Sequence, residues 1–529
     1  MDESRFELTV DKILKTATRN NPDQVISDQG NSHITYREFS NRVEKIAKGL
    51  IELGLKKGET VAVLDWDTLQ YLECYYAIPM AGGVIHTVNI RYPPDLILYT
   101  MQQAEDRFVI VGEEFVQILK KSVGMFDFVK KWIVNSEDPK LVGELPEAIA
   151  FNSISGNDST KLPELKEDDR ATVFHTSGTT GMPKGVTFSH RKLVLHSLAV
   201  ATLFADDPVA IRQTDVAMPL VPMFHVHSWG NPYTFIMKGM KYVVPGRYDF
   251  NKLPGLMQKE HVNVSFMVPS ILYMLISNPN NEDTLKGLGL KVLLGGSAVS
   301  RGLYEKAKQL NIQIAAGYGM SETAPVISLS KYNHSIISQS DDVKGNTSIK
   351  AGIPLPLVDL RVMDLKYKEV RWDSTEIGEV IVRAPWLTEG YLKDQINTEK
   401  LWSNGWLHTG DLATVDKFGY VSIVDREKDA VKSGGEFIPT IILEDCISTF
   451  KGVGEVAVIG RPDDVWDERP IAFISGLKEI DKDKLKSHLM EYVKTGKIQK
   501  FWIPDEFIAI ETFPKTGTGK IDKKALRKL

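Results

Sequence analysis

Cysteine is nearly missing from this chain: Cys74 and Cys446 stand alone. Two thiols far apart in sequence exclude both a disulfide framework and a cysteine-held metal cluster, and a reducing, cytoplasmic home is expected. Charge of one sign is lacking as well. The 64 Lys and Arg against 69 Asp and Glu leave a formal charge of −5, so no global field points to nucleic acid or to an acidic membrane, and no nucleic-acid partner is expected. Unbroken hydrophobic runs are also absent. The most apolar window, Tyr71 to Ile90, is interrupted by Glu73, Pro79, Gly82-Gly83 and His86, so it reads as a buried helix, a Gly turn and a strand rather than a membrane span. The opening Met1-Asp2-Glu3-Ser4-Arg5 has no apolar core and is expected to be the mature start, not a secretory leader.

What the chain does have is an ordinary globular composition, 43% hydrophobic and 25% charged, spread over 529 residues. That length exceeds one core and implies several domains. Short β-branched runs (Val61 to Leu64, Phe108 to Val111, Val264 to Val268, Val292 to Leu294) alternate with helical patterns such as Glu38 to Leu53, whose Phe39, Val43, Ile46, Ala47, Leu50 and Ile51 fall on one face. The fold class is therefore α/β: a large N-terminal domain of layered sheets and helices, residues 1–424, followed by a small, mobile α+β C-terminal domain, residues 431–529. In the latter, strands are expected at Val456 to Ile459 and Phe507 to Ile510, with a helix from Asp481 to Val493. The all-charged Asp425-Arg426-Glu427-Lys428-Asp429 suits a solvated linker, placed at residues 425–430. Ser338 to Lys350 is polar and reads as loop.

The densest chemical signal is Thr176-Ser177-Gly178-Thr179-Thr180-Gly181-Met182-Pro183-Lys184-Gly185, directly after the apolar run Ala171 to Phe174; seven of its ten residues are Gly, Ser or Thr. Glycines let the backbone approach a polyanion, hydroxyls and N–H groups donate to phosphate oxygens, and Lys184 adds a mobile positive charge. Pro183 stands where a Walker loop needs its second glycine, which disfavours a P-loop kinase or ATPase. A flexible surface turn would also be rich in small residues, so the loop needs company to be read as a phosphate cradle.

Four further segments supply it: Tyr318-Gly319-Met320-Ser321-Glu322-Thr323, Trp406-Leu407-His408-Thr409-Gly410-Asp411, Asp425 to Asp429, and Pro514-Lys515-Thr516-Gly517-Thr518-Gly519-Lys520. With the loop, in this order, they resemble the signature of the adenylate-forming, or AMP-binding, superfamily, and the chain is most similar to its medium- and long-chain fatty acyl-CoA synthetases. Ile34-Thr35-Tyr36 and Gly58 to Ala62 resemble the family's N-terminal region. The resemblance implies an ATP-dependent ligase that activates a carboxylic acid as acyl-adenylate and passes the acyl group to coenzyme A, with ATP, Mg²⁺, CoA and a small carboxylic acid as its partners. It implies that Thr176 and Glu322 hold the metal. Thr176, Ser177, Gly178, Thr179, Thr180, Gly181 and Lys184 would cradle phosphates. Gly296, Ala316, Gly317, Tyr318, Gly319 and Ser321 would line the nucleotide and acyl sites, with Tyr318 stacking on adenine, and Asp411 and Arg426 would take the ribose. Each segment also has a plain reading as a capped turn or a surface ion pair when taken singly. Asp411 is expected in a strand-end turn after Gly410.

Lys520 is, by the same resemblance, the catalytic lysine of adenylation, bridging two anions as they meet; the basic tail Lys523, Lys524, Arg527 and Lys528 is its bland alternative. Lys428 matches the hinge position. Gly434 and Gly435, after Lys432, resemble the loop bordering the pantetheine tunnel, and Lys432 joins Lys520 and His225 as a candidate for a direct catalytic role. Pro222 to Gly230 looks like the acyl entrance, with His225 near the substrate carboxylate, Val226 beside it and Trp229 either a gate or a core aromatic. His225 and His227 lack a third ligand for zinc. Two positions depart from the pattern, Ala316 where relatives often carry a polar residue and Phe437 where some carry tryptophan. An aryl-CoA ligase, a carrier-loading enzyme and a silent nucleotide-binding protein remain alternatives. Peripheral membrane contact and a homodimer are open expectations.

Overall fold

The computed structural model describes residues 6–176, 182–203, 205–477, 479–514 and 521–529. The chain divides into two compact units, Met1–Asp359 with Arg383–Gly405, and Leu360–Val382 with Trp406–Leu529. Residues 425–430 thus lie inside the second unit.

Two sheets organise the first unit. In the seven-stranded one, Ile149–Ala150, Lys131–Asn135, Asp106–Gly112, Thr60–Leu64, Val84–Thr87 and Arg170–Thr176 run parallel, and Lys184–Ser189 closes the edge as an antiparallel hairpin partner. Thr-Val-Ala-Val-Leu at 60–64 is buried throughout, as a parallel strand covered on both faces requires. The nine-stranded sheet carries Val264–Met267, Lys291–Leu294 and Gln313–Gly319 side by side in parallel, and the last of these then pairs antiparallel with Val326–Leu329. Between the strands, the helix Tyr36–Glu52 starts at a capping box in which Thr35 and Glu38 satisfy each other's backbone N–H. The window Tyr71 to Ile90 folds as helix Leu69–Met80, a turn with Gly82 at φ +82°, and strand Val84–Thr87. Among the described residues no helix is long and apolar enough to cross a membrane. That helix presents a layer of fully buried tyrosines, and their hydroxyls find carbonyls across the core: Tyr75 on Met223 at 2.5 Å and Tyr76 on Pro232 at 2.8 Å.

In the second unit Trp406–Val415 pairs antiparallel with both Gly378–Arg383 and Val421–Arg426. A further sheet joins Val431–Ser433, Glu436–Ile438, Val456–Asp463, Asp467–Ile474 and Glu506–Ala509. Helices Thr440–Ser448 and Lys482–Lys494 supply Leu443, Ile447, Leu485 and Leu489 to its core.

Three local expectations need correction. Ser338 to Lys350 is not all loop: Ser340 caps a helix, Asp341–Ser348, because its side chain accepts from Val343 N–H and two aspartates fill the first turn. Asp411 lies in mid-strand rather than in a strand-end turn, although Gly410 before it has φ +66°. The charged run at 425 is not wholly solvated. Asp425 is buried, and its carboxylate accepts from the N–H (2.5 Å) and hydroxyl (2.8 Å) of Thr440 at the start of a helix, so a charge that composition assigns to solvent anchors a helix N-terminus.

Candidate active site

Strand pairing sets the two ends of the Gly/Ser/Thr loop. Thr176 closes one strand, Lys184 opens the next, and the two are register partners. The Tyr92 hydroxyl donates to the Thr176 carbonyl at 3.1 Å. Ser177, Gly178, Thr179, Thr180 and Gly181 lie outside the described residues, as does Lys520.

Lys184 projects over the ring of Tyr391, its ammonium 4.7 Å from the ring centre. The Tyr391 hydroxyl in turn donates to Glu322 Oε1 at 2.5 Å. Tyr391 arrives there because its segment is stitched to the hairpin: Val186 bridges Tyr391, and Leu392 N–H donates to Gly185 C=O at 2.7 Å. Thr388 N–H holds the Glu322 carbonyl at 3.0 Å. Burial and the neighbouring Glu322 charge hold the Tyr391 phenol far above its ordinary value, so it donates at any working pH. Lys184, the register partner of Thr176, is thus linked to the sequence-distant Glu322 through Tyr391, a residue that the sequence reading did not single out. Its only signal there is a Gly-Tyr pair in a polar stretch.

The Glu322 turn is shaped by a glycine. A Cβ on Gly319 would sit 1.7 Å from the Pro325 carbonyl oxygen, so the strand can fold back into the turn Ser321–Thr323 only with no side chain there. Glu322 is 6% exposed. Ala316 is buried, its N–H spent on the Ser330 hydroxyl at 2.7 Å. Mg²⁺ takes one or two carboxylates and completes its shell with substrate phosphate and water. The buried Glu322 carboxylate is a donor of that kind, and among the described residues no group of three or more His, Cys, Asp or Glu makes an all-protein cage.

In the segment expected to form the acyl entrance, Val226, His227, Ser228 and Trp229 take φ of 45°, 38°, 51° and 56°, and Gly230 takes 77°. Left-handed backbone costs roughly 1–2 kcal/mol per non-glycine residue, and such strain concentrates where a site needs its geometry fixed. Hydrogen bonds oppose the cost. Ser228 donates its hydroxyl to Val221 C=O at 2.7 Å and its N–H to His225 C=O at 3.0 Å. The preceding Met223 is held at both polar groups, by Tyr75 and by Asp67, whose Oδ1 accepts the Met223 N–H at 2.7 Å. Burial pushes Asp67 up to about 7. The turn sends His227 into a pocket of Phe174, Phe188 and Tyr233. It lays the Trp229 ring on Gly295, whose added Cβ would meet that ring at 3.0 Å, and against Gly296, φ +79°. Trp229 is buried, as a core aromatic would be, yet sits beside Gly296, the one of these two glycines named from the sequence. His225 keeps an exposed edge. Crowding and the nearby Arg91 charge hold its pKa down to about 4, so the ring is neutral at pH 7.

Within the second unit, Asp411 and Arg426 are register partners, with Nε to Oδ1 at 2.7 Å. Glu379 organises the approach, taking His408 Nδ1 at 2.8 Å on one oxygen and Gly410 N–H at 3.0 Å on the other. Lys432 bonds Glu427 at 2.7 Å and lies 5.6 Å from the Phe437 ring centre. Gly434 and Gly435 have φ +59° and +79°; the Trp466 ring occupies the space a Gly434 side chain would need. Lys428 is exposed, its carbonyl taken by Arg527 at 3.0 Å.

Residues 14–392 match the family of the AMP-binding enzyme, and residues 443–520 match the AMP-binding enzyme C-terminal domain. The chain belongs to the AMP-binding enzyme family and, within it, to the AMP-forming acyl-CoA ligases. It is 36% identical over 503 residues to a long-chain-fatty-acid–CoA ligase of Thermus thermophilus, spanning 93% of this chain and 89% of that one. It is 30% identical over 532 residues to a medium-chain-fatty-acid–CoA ligase of Ectopseudomonas oleovorans, spanning 99% and 96%. A solved Mycobacterium tuberculosis fatty acyl CoA synthetase matches with a TM-score of 0.74 over 98% of both chains at 23% identity, which speaks to fold alone.

Proposed function

We propose that this ligase takes a medium- or long-chain fatty acid, forms its acyl-adenylate with release of pyrophosphate, and transfers the acyl group to CoA with release of AMP. The observation that supports the adenylation step is the contact chain Lys184, Tyr391, Glu322, which joins a cation and a carboxylate, the two charges that binding a Mg²⁺-bound triphosphate calls for. The fatty chain rests on the apolar wall of Trp229 and Phe224 and on the two fatty-acid ligases among the relatives.

The carboxylate oxygen bonds to the α-phosphorus as the bond to the pyrophosphate bridging oxygen breaks. The CoA thiol, losing its proton, then bonds to the acyl carbon and AMP departs. Lys184 faces the leaving phosphates, Lys520 offsets the charge that builds as two anions meet, and neutral His225 stands beside the carboxylate. Thr176 and Glu322 would hold Mg²⁺, which would supply positive charge to offset that of the phosphates. Tyr318 takes adenine, and Asp411 with Arg426 takes the ribose diol. Lys432, Gly434 and Gly435 border the pantetheine in the second step, and the change of step turns about residues 425–430, with Lys428 as the pivot. Pyrophosphate release measured against acids from acetate to palmitate plus benzoate and coumarate, with and without CoA, tests this reading. A maximum at C8 to C16 is expected, and a preference for benzoate or coumarate would replace it with an aryl-CoA ligase.

A further inference from the structure

Behind the loop lies a polar chain that none of the motifs requires. His175, the residue before Thr176, points to the opposite face of its strand. There its Nε2 meets Gln103 Oε1 at 2.8 Å and its Nδ1 meets His86 Nε2 at 3.0 Å; His86 Nδ1 meets Asp106 Oδ2 at 2.7 Å. His86 and Asp106 are fully buried and His175 is 7% exposed.

Register explains how they meet. His86 is paired with Val173 and with Ala62, and Asp106 with Thr60. Partners across a ladder share a face, and residues two apart on a strand share it again, so His175, His86 and Asp106 line one side of the sheet. They cross the strand between them above the small side chain of Ala62. Gln103 reaches down from the helix Pro94–Ala104 that covers this face. Apolar Val84, Ala104 and Val173 fill the surround, where a polar group without a partner would be costly. With the Gln103 oxygen toward the ring, His175 donates from Nε2 and accepts at Nδ1 from His86. Each imidazole is thereby fixed in tautomer and rotation.

The far end of the chain touches the other root of the loop. A Cβ on Gly185 would lie 3.2 Å from His175 Nε2 and 3.3 Å from Gln103 Oε1, so the glycine after Lys184 leaves room for this hydrogen bond. One buried network therefore abuts both strand ends from which the loop springs, Thr176 through His175 and Lys184 through Gly185.

We propose that His175, held by His86 and Asp106 on one side and Gln103 on the other, is a positioning residue for ATP: it fixes where the phosphate loop leaves and re-enters the sheet. This rests on the reading of that loop as the triphosphate site. His175 touches no substrate. Its removal changes how well the roots of the loop are aligned before ATP arrives, and so acts on nucleotide binding rather than on the acid.

The experiment compares full-length His175→Phe, Gln103→Leu, Asp106→Leu and Asp106→Asn with the parent protein, by calorimetry of Mg·ATP binding and by KM for ATP and for the acid in pyrophosphate release. His175→Phe and Asp106→Leu are expected to weaken Mg·ATP binding and raise KM for ATP about tenfold, which is about 1.4 kcal/mol, while KM for the acid stays within twofold. Gln103→Leu falls between. Asp106→Asn still hydrogen-bonds His86 Nδ1, whichever partner donates, and is expected within threefold of the parent. Equal ATP affinity across the set, even with lowered thermal midpoints, overturns the proposal, as does a parallel rise of both KM values. Should His175→Phe fail to fold, the contrast of Gln103→Leu with Asp106→Asn decides. A parent protein that binds Mg·ATP but turns over no acid faults the functional reading and leaves this comparison intact.

Discussion

Replacing Tyr391 by phenylalanine deletes one oxygen from the contact chain and leaves the ring beneath Lys184. The lost bond is a phenol donating to a carboxylate at 2.5 Å, and hydrogen bonds to charged groups contribute about 1.5–3 kcal/mol. Glu322 is 6% exposed, so water does not readily replace the donor. At 1.4 kcal/mol per decade the loss corresponds to about 10- to 100-fold, the same range as for removing an outer partner of a metal ligand. Tyr391→Phe should therefore raise the magnesium concentration for half-maximal pyrophosphate release about 10- to 100-fold at saturating ATP, with KM for the acid unchanged. Tyr391→Leu also strips the aromatic face from Lys184 and should weaken ATP binding by a further factor of about 2–5, the effect of an exposed cation–π contact of about 0.5–1 kcal/mol. A magnesium titration run in parallel on the two variants and the parent measures both. Coincident magnesium curves for Tyr391→Phe and the parent would show that Glu322 does not hold the metal, or that Tyr391 does not orient it.

Lys520→Ala should abolish acyl-adenylate formation and leave thioester formation from supplied acyl-adenylate largely intact; equal loss of both half-reactions refutes the assignment. Gly319→Ala forces a methyl to within 1.7 Å of the Pro325 carbonyl; displacement of the Tyr318 to Glu322 turn should cost about 1–3 kcal/mol and most of the pyrophosphate release, seen as a lower thermal midpoint and a lower rate. His408 is raised above its ordinary value of 6.5, chiefly by its hydrogen bond to Glu379. Its contribution is fully present below pH 6.5 and is lost as pH climbs through the raised folded value. Thermal melts should show this contribution to the second unit fading above neutrality, and His408→Gln should flatten that slope; an unchanged slope removes His408 as its source.

The order of strands and helices was legible in the sequence because it depends on local period. Thr60–Leu64 is apolar on both faces, Tyr36–Glu52 is apolar on one, and each announces its environment within a few residues. The Glu322 turn was legible for a related reason: a reversal without room for a side chain demands glycine at a fixed position. What remained hidden depends on partners far along the chain. Tyr391 matters because strand stitching carries it to Glu322. Asp425 is buried because a helix begins beside it, and four non-glycine residues from Val226 take the left-handed region because Val221 and Met223 are held around them. The relay of His175, His86, Asp106 and Gln103 is likewise invisible as a motif, since its members sit on three strands and a helix and share only a face. Local chemistry is written in neighbours; hydrogen bonds between distant segments exist only once the sheets have set their register.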